Sequence, residues 1–134
     1  MGIFENIFGK TSNSSENKEH EESKIKWIPL TSIQQIKEIK NLSKTNLVGI
    51  FKHSTRCVIS RTVLDRFQQV FPENNSIKMY YLDLLNYRDV SNEIEVAFQV
   101  LHQSPQFLLI KEENPILHAS HYDITQINFQ KIIK

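Results

Sequence analysis

One side chain in this sequence is a strong nucleophile by type: Cys57, the single cysteine among 134 residues. Ser60 follows three positions later. Cys57-Val58-Ile59-Ser60 thus keeps the spacing of a C-x-x-C redox motif, with a hydroxyl replacing the second thiol. The chemistry open to such a group is thiol–disulfide exchange through one sulfur, with no internal partner to resolve the bond it forms. A lone cysteine is by default a small, inert core residue. The residues before Cys57 argue otherwise. Lys52-His53-Ser54-Thr55-Arg56 is wholly polar, and Arg56 and His53 can bring positive charge close to the sulfur.

Two elements must position that thiol. Leu47-Val48-Gly49-Ile50-Phe51 is a short, nearly continuous apolar run, the composition of a strand buried on both faces, and the polar stretch from Lys52 breaks it. From Ile59 the period changes: Ile59, Val63, Phe67 and Val70 recur at helical spacing, and Pro72 stops the helix. Cys57 therefore falls where a strand has ended and a helix begins. A helix start presents unpaired N–H groups and a partial positive charge, which stabilise an anion there by up to ~2 kcal/mol. Cys57 is expected to be exposed and reactive. Ser60, one turn on, either donates a hydrogen bond to the thiolate or is simply a polar residue of the first turn.

The remaining chain supplies a domain around this junction. Residues 1–24 read as a flexible tail and linker: Thr11 to Lys24 is almost wholly polar, too poor in apolar surface to offset the entropy of ordering. Ahead of it, Ile3, Phe4, Ile7 and Phe8 would share one face of a two-turn helix, either a frayed end or a short docking segment. Residues 25–134 form the domain. Lys26-Trp27-Ile28 is expected as an edge strand closed by Pro29. Thr31 with Gln34, or Ser32 with Gln35, offers a capping box for a helix carrying Ile33, Ile36, Ile39 and Leu42. Ile77 to Leu82 is a strand, and Asp89 or Ser91 can cap a helix with the face Val90, Ile94, Ala97 and Phe98. Phe107 to Ile110 is another buried strand, Glu112 to Pro115 a turn, and Ile116 to Ala119 its hairpin partner. A last helix from about Asp123 presents Ile124, Ile127 and Ile132. The expectation is an α/β fold with a central mixed sheet of about five strands, β-α-β-α-β-α-β-β-α, and helices on both faces.

Phe51 to Arg61 resembles the YtxJ-like, monothiol bacilliredoxin family. So do Leu82-Asp83-Leu84-Leu85-Asn86-Tyr87-Arg88-Asp89-Val90-Ser91-Asn92-Glu93-Ile94, His102-Gln103-Ser104-Pro105-Gln106 and His118-Ala119-Ser120-His121. Four blocks in one order, from Trp27 to the C-terminus, are far more specific than C-x-x-S alone. One departure is Val58, where some members carry proline. The resemblance implies a thioredoxin-like fold, in which a cis-proline loop precedes the penultimate strand and lies opposite the nucleophile; Pro105 is the proline placed for that role. It also implies bacillithiol as the low-molecular-weight thiol, a co-substrate rather than a bound cofactor. The site expected on this basis has Cys57, Ser60 and Arg56 as its catalytic group, and Ser104, Pro105, His53 and Thr55 as its substrate contacts.

Three function classes follow. The first is a monothiol oxidoreductase that lifts a small thiol from S-thiolated protein substrates through Cys57. The second is a non-enzymatic, stress-associated thioredoxin-fold binding module. The third is metal or iron–sulfur cluster binding through Cys57; the glycine-rich context of cluster-binding monothiol glutaredoxins is absent, which counts against it. His118 and His121, three apart on a strand end, would point to opposite faces, so no metal site is assigned. Composition narrows the rest. A formal charge of +1, with 40% hydrophobic and 23% charged residues, gives no reason to expect nucleic acid or a membrane as partner. One cysteine, no membrane-length apolar run and no signal-peptide pattern at Met1 to Lys10 favour a cytoplasmic location. The abundance of Ile, Asn and Lys hints at an AT-rich bacterial genome.

Overall fold

The computed structural model describes residues 25–72 and 75–132. Residues 1–24, with the expected tail and its apolar segment, lie outside the described residues. The elements run β1 (Ile28–Pro29), α1 (Gln34–Leu42), β2 (Val48–His53), α2 (Val58–Val70), β3 (Lys78–Asp83), α3 (Arg88–Phe98), β4 (Gln106–Lys111) and β5 (Asn114–Ser120). A 3₁₀ turn (His121–Gln126) and a one-turn helix, α4 (Phe129–Ile132), complete the order. The strands form one mixed five-stranded sheet in the order β1-β3-β2-β4-β5. β3 pairs in parallel with β1 and β2, while β4 runs antiparallel to both β2 and β5. This is the α/β order expected from the sequence.

Strand alternation sorts the core into two halves. Val48, Ile50, Tyr80, Leu82, Leu108 and Ile110 face α1 and α3, meeting Ile36, Ile39, Val90, Ile94 and Phe98. Phe51, Met79, Phe107 and Leu109 face the other way, onto Val63 and Phe67 of α2, Ile124 and Phe129. Phe67 is the centre of this second half, its ring 5.2 Å from Phe51 and 5.0 Å from Phe107, centroid to centroid. Because β2 is central and covered on both sides, every one of its residues is buried, including Lys52 and His53. The expected polar break at Lys52 is therefore two residues early: the strand continues through His53 because its ladder with β3 runs to the His53–Asp83 pair.

Several local expectations shift for physical reasons. β1 is shorter than expected and includes Pro29, which an edge strand tolerates. Only half of the Ser32–Gln35 box forms: Gln35 Oε1 accepts the Thr31 and Ser32 N–H groups at 2.7 and 3.1 Å, and no side chain caps the helix itself. Neither Asp89 nor Ser91 caps α3, which starts after Tyr87 without a side-chain cap; Ser91 is buried instead. The hairpin turns on Glu112 and Glu113 alone, both at positive φ as two-residue hairpin loops require, so Asn114 and Pro115 join β5. Ser43, at the end of α1, holds this turn: its carbonyl accepts Glu112 N–H at 2.7 Å and its hydroxyl accepts Glu113 N–H at 2.8 Å. The single C-terminal helix is broken in two, and Ile124 and Phe129 are its buried anchors. Among the described residues, no helix is long and apolar enough to cross a membrane.

Gly49 lies on the central strand under the aromatic half of the core. A Cβ there would stand 2.6 Å from Met79 Sδ and 2.9 Å from the Phe107 ring. Met79 can swing away; the fully buried Phe107 ring cannot do so freely. Gly49→Ala is expected to destabilise the domain by about 1–3 kcal/mol, as overpacked cores do, read as a lower urea midpoint with unchanged slope.

Candidate functional site

Cys57 is the N-cap of α2. Its backbone is extended (φ −104°, ψ 122°), its carbonyl accepts Arg61 N–H at 3.1 Å to open the helix, and its own N–H bonds to the Ser54 carbonyl at 3.2 Å. Ser54 to Cys57 thus forms a tight turn that carries the chain from the end of β2 straight into α2. Cys57 is part-exposed, preceded in the chain by exposed Thr55 and Arg56 and followed by exposed Val58 and Ile59. The expected helical stripe is rotated by one position: Ile59 and Val70 face solvent, and Ser60, Val63 and Phe67 face inward.

Of the two roles open to Ser60, the structure shows no bond to Cys57: the side chain turns inward. It is fully buried, and its Oγ lies 2.8 Å from His53 Nδ1 while accepting the Ser54 N–H at 3.1 Å. One hydroxyl thereby fastens the last residue of β2, the turn and the first turn of α2 together. His53, expected among the substrate contacts, is buried too. At 4% exposed it lies under the turn, its ring 5.7 Å from that of Tyr81. Burial holds its imidazole below the usual histidine range; the Asp83 carboxylate works against this shift and Arg61 with it.

Ser104 and Pro105 come to the same end of the sheet. The β2–β4 register pairs Lys52 with Gln106, so Pro105 stands one step beyond, level with the last residue of β2. The Ser104–Pro105 peptide is cis. Pro105 is buried and its carbonyl accepts His121 N–H at 3.0 Å; Ser104 is half-buried. The structure thus brings Cys57, Thr55, Arg56, Ser104 and Pro105 to one rim and sets Ser60 and His53 beneath it. Among the described residues no three His, Cys, Asp or Glu side chains gather as a metal-holding group.

The sequence reading missed a second polar cluster at this rim, on the α3 side of the sheet. Lys52 Nζ lies 3.2 Å from His102 Nδ1, and Ser91 Oγ lies 3.3 Å from the same nitrogen. Buried Gln106 donates to the Leu101 carbonyl at 3.1 Å and accepts Gln103 N–H at 3.4 Å. The available signal was strand alternation: Lys52 follows Val48 and Ile50 on one face, where a lysine needs a reason to be.

Comparison with known proteins agrees with this geometry. The family model described as "Monothiol bacilliredoxin BrxC" matches residues 28–129. A solved structure described as a putative oxidoreductase with a thioredoxin fold is 32% identical, with a TM-score of 0.64, covering 73% of this chain and 85% of that one. Thioredoxins of Schistosoma mansoni and Trypanosoma brucei brucei share the fold at 17% identity each, with TM-scores of 0.61 and 0.60. The first match covers 81% of this chain and 93% of its own, the second 77% and 85%.

Removing the Ser60 hydroxyl would strand buried His53 Nδ1 and the part-buried Ser54 N–H. Ser60→Ala is expected to lower stability by roughly 1–3 kcal/mol, the penalty for unsatisfied buried polar groups. Urea denaturation at pH 7 measures it; an unchanged midpoint would mean the hydroxyl is not the fastener.

Proposed function

We propose, from the premise that this chain belongs to the monothiol bacilliredoxin family, that it removes a low-molecular-weight thiol from protein mixed disulfides through Cys57. The thiol–oxidoreductase class rests on the family and the fold; the substrate and the steps are our reading. The observation that carries it is the placement of the one cysteine at a helix start, part-exposed and without a second thiol three residues on.

The Cys57 thiolate attacks the small-thiol sulfur of the mixed disulfide. A new sulfur–sulfur bond forms between Cys57 and the small thiol, the original bond breaks, and the protein cysteine leaves as a thiolate that takes a proton from water. A second thiol from outside then attacks the Cys57 adduct and restores the free cysteine. Arg56, exposed beside the sulfur, is suited to pair with a carboxylate of the small thiol, and Thr55 offers a hydroxyl on the same edge. Exposed Val58 and Ile59 give an apolar surface to the protein substrate. Ser104 and Pro105 line the opposite edge, where an extended substrate segment would lie. We assign bacillithiol as the small thiol from the family's own name; the reaction takes place in a reducing compartment, consistent with cytoplasm.

The test is mass spectrometry after the full chain meets a protein carrying a bacillithiol mixed disulfide. The bacillithiol mass is expected to leave the substrate and appear on Cys57, and Cys57→Ser is expected to leave the substrate modified while melting within a few degrees of the unaltered chain. Parallel substrates carrying glutathione or cysteine establish the preference. A substrate that keeps its adduct in the presence of the unaltered chain would return the protein to the non-enzymatic binding reading.

A further inference from the structure

Among the described residues Lys52 is the only lysine that the fold buries completely. No described carboxylate forms an ion pair with it, and desolvation lowers its pKa to about 8, with Glu95 of α3 opposing the shift. A methionine would fill the same volume without a buried charge. The ammonium therefore needs a reason to be there, and its geometry supplies one. It is a donor only, so its 3.2 Å contact with His102 Nδ1 is a hydrogen bond when the imidazole is neutral with its proton on Nε2; Ser91 Oγ stands 3.3 Å from the same nitrogen. Burial and the Lys52 charge both hold His102 below the usual histidine range. Of the charged groups on α3, Glu95 favours the imidazolium and Arg88 opposes it.

His102 lies in the segment from Leu101 to Pro105 that leads into β4, and Gln106 ties the same segment from the other side through Leu101 and Gln103. We propose that Lys52 and His102 are positioning residues for the substrate: the pair fastens the Leu101–Pro105 segment while the imidazole is neutral and releases it when the imidazole gains a proton. Once protonated, His102 Nδ1 can no longer accept from Lys52 and has only Ser91 Oγ to donate to, and two positive charges stand where the Lys52 hydrogen bond was. The functional reading above is the premise of the word "substrate" here.

The experiment has two arms on the full chain. In the first, the His102 ring nitrogens are followed by NMR against pH. The Nε2–H tautomer is expected at pH 7, with a titration midpoint below ~6.5, and Lys52→Met is expected to raise that midpoint. An unchanged midpoint would overturn the pairing. In the second, a peptide carrying a bacillithiol mixed disulfide binds the Cys57→Ser chain, in which no transfer occurs, at pH 7 and one unit below the His102 midpoint. Kd is expected to rise roughly tenfold at the lower pH, the weight of a charge-assisted hydrogen bond. Adding His102→Gln is expected to flatten that dependence, because an amide oxygen accepts from Lys52 at either pH. A pH-independent Kd, or no binding at either pH, overturns the inference. Retained pH-dependent binding with no transfer by the unaltered chain overturns the functional reading alone.

Discussion

Everything at the reactive end of this molecule hangs from one buried hydroxyl. Ser60 Oγ sits between His53 Nδ1 and the Ser54 N–H, so the last residue of the central strand, the turn and the first turn of α2 are joined at one point. A strand-to-helix junction built from polar residues would otherwise be free to wander. With the fastener in place, Cys57 is held as the N-cap while its neighbours on both sides stay exposed. The same contact explains why the residue three after the cysteine is not a surface group. Its task is to fix the helix start, and with it Cys57, against the sheet.

The core confirms how unusual that end of the sheet is. Both halves of the interior are apolar, and aromatic rings crowd the α2 side. Buried polar side chains other than Ser43 collect at the end of the sheet that carries Cys57: Lys52, His53, Ser60, Ser91 and Gln106. They fall on both faces of the sheet, His53 and Ser60 under the thiol turn, Lys52, Ser91 and Gln106 under the segment leading to Pro105. Each group has a hydrogen-bond partner on a neighbouring element. Burying such groups is unfavourable unless they are satisfied, and satisfied networks give rigidity and a unique arrangement. The two rims of the site are thus each set on a polar foundation.

Much of this was legible in the sequence. A fully apolar five-residue run, followed by polar residues and then a change to helical period, can be satisfied by little other than a buried strand turning into a helix, so the position of Cys57 follows. The element order follows from the same kind of evidence. The direction of Ser60 was not legible. Val63 and Phe67 belong equally to the stripe with Ile59 and Val70 and to the stripe with Ser60, and over three turns of helix only packing against β2 chooses between them. The extent of β2 was hidden for a related reason: strand pairing with β3 continues through Lys52 and His53, and the hydrogen-bond partners for their polar ends are Ser60, beyond the turn, and His102, fifty residues from Lys52. Turn and cap details also depended on distant partners, as Ser43 holding the hairpin shows.

The central claim is physical: the fold presents Cys57 for reaction at the start of α2 instead of burying it in the core. The most direct measurement is the rate at which iodoacetamide alkylates Cys57 at pH 7, in the folded chain and in the same chain unfolded by urea. The account predicts that Cys57 is alkylated in the folded state without prior unfolding, since the residue is part-exposed at the start of α2. Protection from alkylation in the folded state, with the thiol released only on unfolding, would contradict it and leave Cys57 as an inert residue of the domain.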